Sequence, residues 1–258
     1  MTSCEFFLLD KKSDILSPCQ KKGRLKPKVK IGLLMILCIC CIIGVFSWLH
    51  INQDTQSDAP VETVATLCID PGHGGYDAGT IGADGSYEKD INLEIALAVG
   101  KEIEKEEPRI KIIYTRDSDE ITWPENEEED LKARVQFAQE NKADYYLSIH
   151  MNSNEDPSAF GYESYVRQND TTSQAIAENI AEELDESGWE YNRGILFVEE
   201  YPLYVVSEQT IPSLLFEAGY MSNYQECTDL QQSKNQKIIA KAIAKSYINQ
   251  ILKDKNLD

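Results

Sequence analysis

From Val64 onward, strand-like and helix-like segments alternate through almost the whole remaining chain, and this order restricts the fold more than any other feature. Val64 to Ile69 is apolar and β-branched, which predicts a buried strand. Ile91, Ile95, Val99 and Ile103 then recur every fourth residue, giving a helix with one apolar stripe and Asp90 placed to cap it. Ile110 to Thr115 predicts a second strand. The acidic run that follows opens a helix whose inward face is Leu131, Val135 and Ala138, with its acids at the end the helix dipole favours. "ADYYLSIH" predicts a strand ending at His150, and "GYESYVR" alternates as a fourth. A helix over Thr171 to Glu186, a strand ending near Glu217 and a helix from about Lys234 to Leu252 complete the series. Such alternation predicts a single α/β domain with a largely parallel sheet.

Upstream the chemistry changes. "GLLMILCICCIIGVFSWL", Gly32 to Leu49, carries no charge, and about 18 apolar residues suffice to span a bilayer. The basic "KKGRLKPKVK" before it belongs on the cytoplasmic side, and Trp48 stands where an interfacial aromatic belongs. A cleaved signal peptide is the rival reading. Its apolar core would be shorter, about 7–15 residues, and the only small-x-small site, Ser57-Asp58-Ala59, is followed by Pro60. The expected layout is therefore a cytoplasmic segment over 1–31, an anchor over 32–50, a polar linker over 51–63 and the domain over 64–253.

Charge divides at the same boundary. Of 25 Lys/Arg and 44 Asp/Glu, eight bases and three acids precede residue 51, leaving 17 bases and 41 acids, a net of −24. A domain this acidic is not a nucleic-acid binder, because phosphate contacts require the opposite charge. Of the seven cysteines only Cys68 and Cys227 follow the apolar run, and no C-x-x-C pair stands there, which argues against a cysteine-based zinc site. Cys68 is expected to pack as a small apolar residue.

In open α/β sheets ligands gather beyond the carboxyl ends of the strands. His73, His150 and Glu217 all fall at such ends, and the two histidines are the only ones after residue 50. The glycines in "PGHGG" leave room around the His73 ring. Catalytic zinc takes three protein ligands and keeps one position open. With two histidines available the third ligand is a carboxylate: Asp70, Asp77, Asp84, Glu88, Asp90 and Glu217 are candidates, and pattern does not choose among them. Glu217 follows a very apolar strand, so it needs a partner such as Arg134 or Arg193, or else a shifted pKa.

"IDPGHGGYDAGTIGADGSYEKDINLEIA", "ADYYLSIHMNS" and "PSLLFEAGYMSN", in that order, resemble the zinc-dependent N-acetylmuramoyl-L-alanine amidases of bacterial walls. The resemblance covers nearly all of Val64 to Leu252. It implies a mixed, mostly parallel sheet flanked by helices. It implies zinc held by His73, Glu88 and His150, with Glu217 as catalytic acid/base, and peptidoglycan as substrate. Glu88 comes from the family's Glu-Lys-Asp element. Asp70 is a candidate to orient His73, Asn152 to touch substrate or hold its loop, and Arg134 to brace Glu217 or another acid. Some relatives carry a long inserted helix after the second histidine. Here only "MNSNEDPSAF" separates His150 from the next strand, so no such plug is expected, and protein regulators stay unassigned. A zinc hydrolase of stem peptides and a non-catalytic, membrane-anchored wall-binding protein are the rival functions.

Overall fold

The computed structural model describes residues 62–189 and 191–257, together with Cys41. The predicted span over 32–50 lies outside the described residues apart from Cys41, as do the segment 1–31 and most of the linker. Among the described residues no helix is long and apolar enough to cross a membrane.

One six-stranded sheet organises the domain. Its strands are β1 (Ala65–Pro71), β2 (Ile110–Tyr114), β3 (Tyr145–Asn152), β4 (Tyr162–Val166), β5 (Asn192–Phe197) and β6 (Ser213–Tyr220). The order is β2-β1-β3-β6-β4-β5. The first four of that order run parallel, β4 is antiparallel to β6, and β5 is parallel to β4. The sheet is thus mixed and mostly parallel, as expected.

Helices α1 (Glu88–Glu106), α3 (Thr171–Glu186) and α6 (Ser233–Asp254) cover one face. Their stripes, including Ile95, Val99, Ile176, Ile180, Ile239 and Ile243, are fully buried against Leu67, Leu147, Ile149 and Phe216. Helices α2 (Glu127–Glu140) and α4 (Tyr204–Ser207) cover the other face over a smaller core of Cys68, Ala138, Tyr146, Val206 and Leu215. The short α5 (Tyr224–Leu230) follows β6. Cys68 and Cys227 are both buried free thiols.

Several boundaries differ from expectation. Helix α1 starts at Glu88, with extended Tyr87 as its uncapped N-terminal flank, so Asp90 lies inside the first turn. The loop before it folds back, Glu88 N–H donating to Thr80 O at 3.0 Å, and that bond fixes the start earlier. Strand β3 continues past His150 to Asn152, which pairs with Tyr220 after a register shift, and β6 continues past Glu217 to Tyr220. No helix lies between Asn152 and Tyr162, in keeping with the short connection.

Candidate metal centre and active site

The first histidine is delivered by a tight turn. After β1, Gly72 N–H donates to Ile149 O on β3 at 3.0 Å, pulling the chain across the neighbouring strand. A Cβ at Gly72 would sit 2.2 Å from the His150 ring, so only glycine admits that imidazole here. His73 itself is left-handed, at φ +62°. Gly74 and Asp77 exchange two backbone hydrogen bonds, closing the turn and returning the Asp77 carboxylate to the ring. His73 Nδ1 lies 2.6 Å from Asp77 Oδ2, which leaves Nε2 turned toward Glu88.

Glu88, the first residue of α1, meets both imidazoles. Its Oε1 lies 3.2 Å from His73 Nε2 and 3.0 Å from His150 Nδ1. Met151 N–H and Asn92 Nδ2 donate to the same oxygen, and Thr80 N–H donates to Oε2. One donor atom from each of His73, Glu88 and His150 lies within 4.8 Å of the others. The two Glu88 contacts, 3.2 and 3.0 Å, are close to the roughly 3.3 Å between neighbouring ligands of a tetrahedral zinc.

The electrostatics ask for a cation at the same point. Burial alone would lower the His73 pKa, yet the hydrogen bond and charge of Glu88, joined by Asp77, raise it to about 9. Burial likewise disfavours ionised Glu88, but the bonds and charges of His150 and His73 hold its pKa well below the usual range. Two carboxylates around two imidazoles thus draw in positive charge, as a proton or a metal ion.

Two buried arginines hold the turn. Arg134 donates from Nη2 to His73 O at 2.7 Å, from Nη1 to Pro71 O and Asp70 Oδ1, and from Nε to Asp130 Oδ1 at 2.6 Å. Arg116 donates to Pro71 O, Gly72 O and Lys89 O. Asp70 does not orient His73. It is fully buried beneath the turn and accepts from Thr115, Arg134, Tyr146 and Ser148. Against its burial, the charge of Arg134 and these bonds hold its pKa near 2. Asp77 is the carboxylate on the His73 ring, and Arg134 braces Asp70 and Asp130 rather than Glu217.

Glu217 stands beside the cluster on the sheet. It is in register with His150 on β3 and, on its other side, with Glu163 on β4. The side chain is half-buried. Its Oε2 is sealed from solvent and has no hydrogen-bond partner among the described residues. Burial first, then the charges of Glu88 and Glu163, push its pKa well above the carboxylate range. Arg193 does not neutralise it, since its Nε donates to Glu163 Oε2 at 3.1 Å. Asn152 also joins Glu163, at 2.6 Å, so its side chain ties the β3 end to β4. The sequence reading did not single out Glu163. The one available signal was a carboxylate inside the otherwise uncharged strand "YESYV".

Of the candidate third ligands, only Glu88 reaches both rings. Asp84 bonds Ser86 and Gln231, and Asp70 and Asp77 have the partners given above. A groove of about 820 Å³ opens on His73, Glu88 and His150, with Tyr76, Leu203 and Tyr204 also in its lining.

Residues 67–249 match the family model described as N-acetylmuramoyl-L-alanine amidase. The germination-specific N-acetylmuramoyl-L-alanine amidase of Bacillus subtilis (strain 168) is 31% identical over 224 residues, covering 84% of this chain and 92% of the relative. The catalytic domain of CwlV, an amidase of the same name from Bacillus (Paenibacillus) polymyxa var. colistinus, superposes with a TM-score of 0.63 at 31% identity, covering 75% of this chain and 99% of that one. A third such amidase, from Clostridium difficile 630, gives a TM-score of 0.65 at 28% identity, covering 74% of this chain and 97% of that one.

Proposed function

As a member of the N-acetylmuramoyl-L-alanine amidase family, this chain is a cell-wall amidase, and we propose that it works as a zinc hydrolase with His73, Glu88 and His150 as ligands and Glu217 as general acid and base. The observation that carries this reading is the meeting of His73, Glu88 and His150 donor atoms around one point, with Glu217 in register beside His150.

Bound there, zinc would supply Lewis acidity and lower the pKa of its water to about 7. The chain's own groups do the rest. Asp77 holds the His73 ring with Nε2 turned to the centre. Glu217, with an unsatisfied buried oxygen, takes a proton from the attacking water as oxygen bonds to the lactyl carbon. The same proton passes to the nitrogen of L-alanine as the carbon–nitrogen bond breaks, leaving a free amine and a muramoyl carboxylate. Burial and the charges of Glu88 and Glu163 favour protonated Glu217, and a cation held by Glu88 would offset that neighbouring charge and favour the carboxylate that accepts the first proton.

The test is elemental analysis and product mass spectrometry on the full-length protein in detergent. One zinc per chain is expected, with products showing a new amino-terminal alanine and intact glycan. Activity should disappear with a chelator and return with zinc. Undiminished activity in protein proven metal-free overturns the zinc reading, and cleavage inside the stem peptide overturns the bond assignment. Asp77→Ala is expected to weaken zinc binding about 10–100-fold, as removal of an imidazole's carboxylate partner does. Competition against a fluorescent zinc chelator measures this; an unchanged affinity removes Asp77 from that role.

Residues 32–50 would tether the enzyme outside the membrane. A linker of about a dozen residues then limits its reach to roughly 20–40 Å, which suits remodelling of wall near the bilayer.

A further inference from the structure

A second cleft, of about 330 Å³, lies between the start of β4, the approach to β5 and helix α5. Phe160, Trp189, Tyr191, Asn223, Gln225 and Asp229 line it. The two outer aromatics are conspicuously wet: Phe160 is 44% and Tyr191 61% exposed, with ring centroids 4.7 Å apart, edge to face. Large apolar rings gathered at one exposed cleft mark a surface that meets a ligand.

The backbone is strained to keep them there. Tyr191 adopts φ +81°, an uncommon and strained conformation for a bulky residue. Tyr162 N–H donates to Tyr191 O at 3.2 Å. Gly161 lies against that same carbonyl, where an added Cβ would come within 2.3 Å. Strain retained by such close support points to use of the ring it displays.

The cleft is also fastened to the catalytic strands. Glu226 accepts from Gly161 N–H at 2.9 Å and from Tyr220 N–H at 2.7 Å. Gly161 lies two residues before Glu163, the partner of Glu217 in register, and Tyr220 lies three residues after Glu217. At about 3.3 Å per strand residue, cleft and Glu217 are separated by on the order of 10 Å along one rim of the sheet. That is the span of one or two sugar rings.

We propose that this cleft binds the glycan strand on one side of the muramoyl residue being cleaved; the proposal rests on Glu217 marking the reaction centre. Aromatic faces pack against the C–H faces of pyranose rings, while amide and carboxylate side chains bond hydroxyl and acetamido groups. The lining supplies both kinds of group. Among the described residues that line the cleft there is no Lys or Arg; Arg193, which donates to Phe160 O at 3.3 Å, is paired with Glu163, and Asp229 and Glu226 would repel the free carboxylates of a stem peptide. The glycan is the uncharged part of the substrate, since the lactyl carboxylates of peptide-bearing muramoyl units are tied up in amide bonds. It must also run past the reaction centre, because the amide to be cut hangs from it.

The test compares kcat/KM of the full-length enzyme on a muramoyl-peptide with one sugar and on a tetrasaccharide carrying the same peptides. Wild type should prefer the longer substrate. Phe160→Ala and, separately, Tyr191→Asn, which tolerates positive φ, should each lower kcat/KM on the tetrasaccharide about three- to tenfold. On the one-sugar substrate they should stay within about twofold of wild type. A tetrasaccharide of N-acetylglucosamine, which carries no carboxylate, should bind wild type and the inactive Glu217→Gln protein, read by tryptophan fluorescence, and bind both cleft variants more weakly. Equal losses on the two substrates, no glycan binding, or displacement of glycan by free stem peptide overturns the proposal. A wild type that cleaves neither substrate overturns the catalytic reading instead, and the fluorescence titration then still decides whether the cleft holds glycan.

Discussion

Glu217→Gln is expected to lower amidase turnover by about 10²–10⁴-fold, the usual contribution of a positioned general acid and base. Zinc content should not change, because the three donor atoms that meet around one point belong to His73, Glu88 and His150. Thermal stability should not fall either. The wild-type carboxyl has a buried oxygen with no hydrogen-bond partner among the described residues, so glutamine of the same shape breaks no bond there. Glutamine also removes an ionisable group that burial and the charges of Glu88 and Glu163 already disfavour in its charged form. Turnover within tenfold of wild type, in protein carrying full zinc, would take the proton-transfer role away from Glu217. Loss of zinc together with activity would make it part of the metal centre instead.

His73, His150 and Glu217 were legible because each stands at or just past an apolar strand; the carboxylates that meet them, Asp77, Glu88 and Glu163, depend on how loops and neighbouring strands come together. His73 and His150 stand out because they are the only histidines after residue 50 and each follows an apolar run. Period-four stripes located α1, α3 and α6 to within a few residues, since each buries one face against the sheet. Strand β5 escaped because it is an edge strand, mostly half-exposed, with Gly194 in its middle. Helices α4 and α5, of four and seven residues, are too short to show a period. Spacing could not choose Glu88, since its arrival between the rings depends on the loop from Gly79 to Tyr87 folding back through the Thr80 bond; the family's Glu-Lys-Asp element chose it. Proximity in sequence suggested Asp70 as the partner of His73. Strand geometry instead buries Asp70 under the turn, and a four-residue turn brings Asp77 to the ring.

The buried arginine beneath that turn gives the second large expected effect. Arg134→Met should destabilise the domain by about 3–5 kcal/mol, the range seen when one partner of a buried ion pair is removed. For a domain of this size the melting temperature should fall on the order of 10 °C. Asp70 is left fully buried without the guanidinium that offsets its charge, and Asp130 loses its Nε partner. The carbonyl of His73 loses its donor as well, so zinc affinity should drop along with stability. The pH dependence separates this cause from simple loss of packing. In wild type the Asp70 pKa lies near 2, below an unfolded value of about 3.9. That difference contributes about 2 kcal/mol above pH 4, lost as pH falls through the folded pKa. In the variant, burial without Arg134 raises the Asp70 pKa, so protonation relieves the fault. The gap in stability between the two proteins should therefore be widest near neutrality and narrow as the pH falls through the variant's raised Asp70 pKa. Asp70→Asn in the same chain should restore part of the loss, as coupled neighbours do. Chemical denaturation from pH 3 to 7 measures all of this. A gap that stays constant with pH, with no recovery in the double variant, would mean that the Asp70–Arg134 charge pair is not what holds the His73 turn.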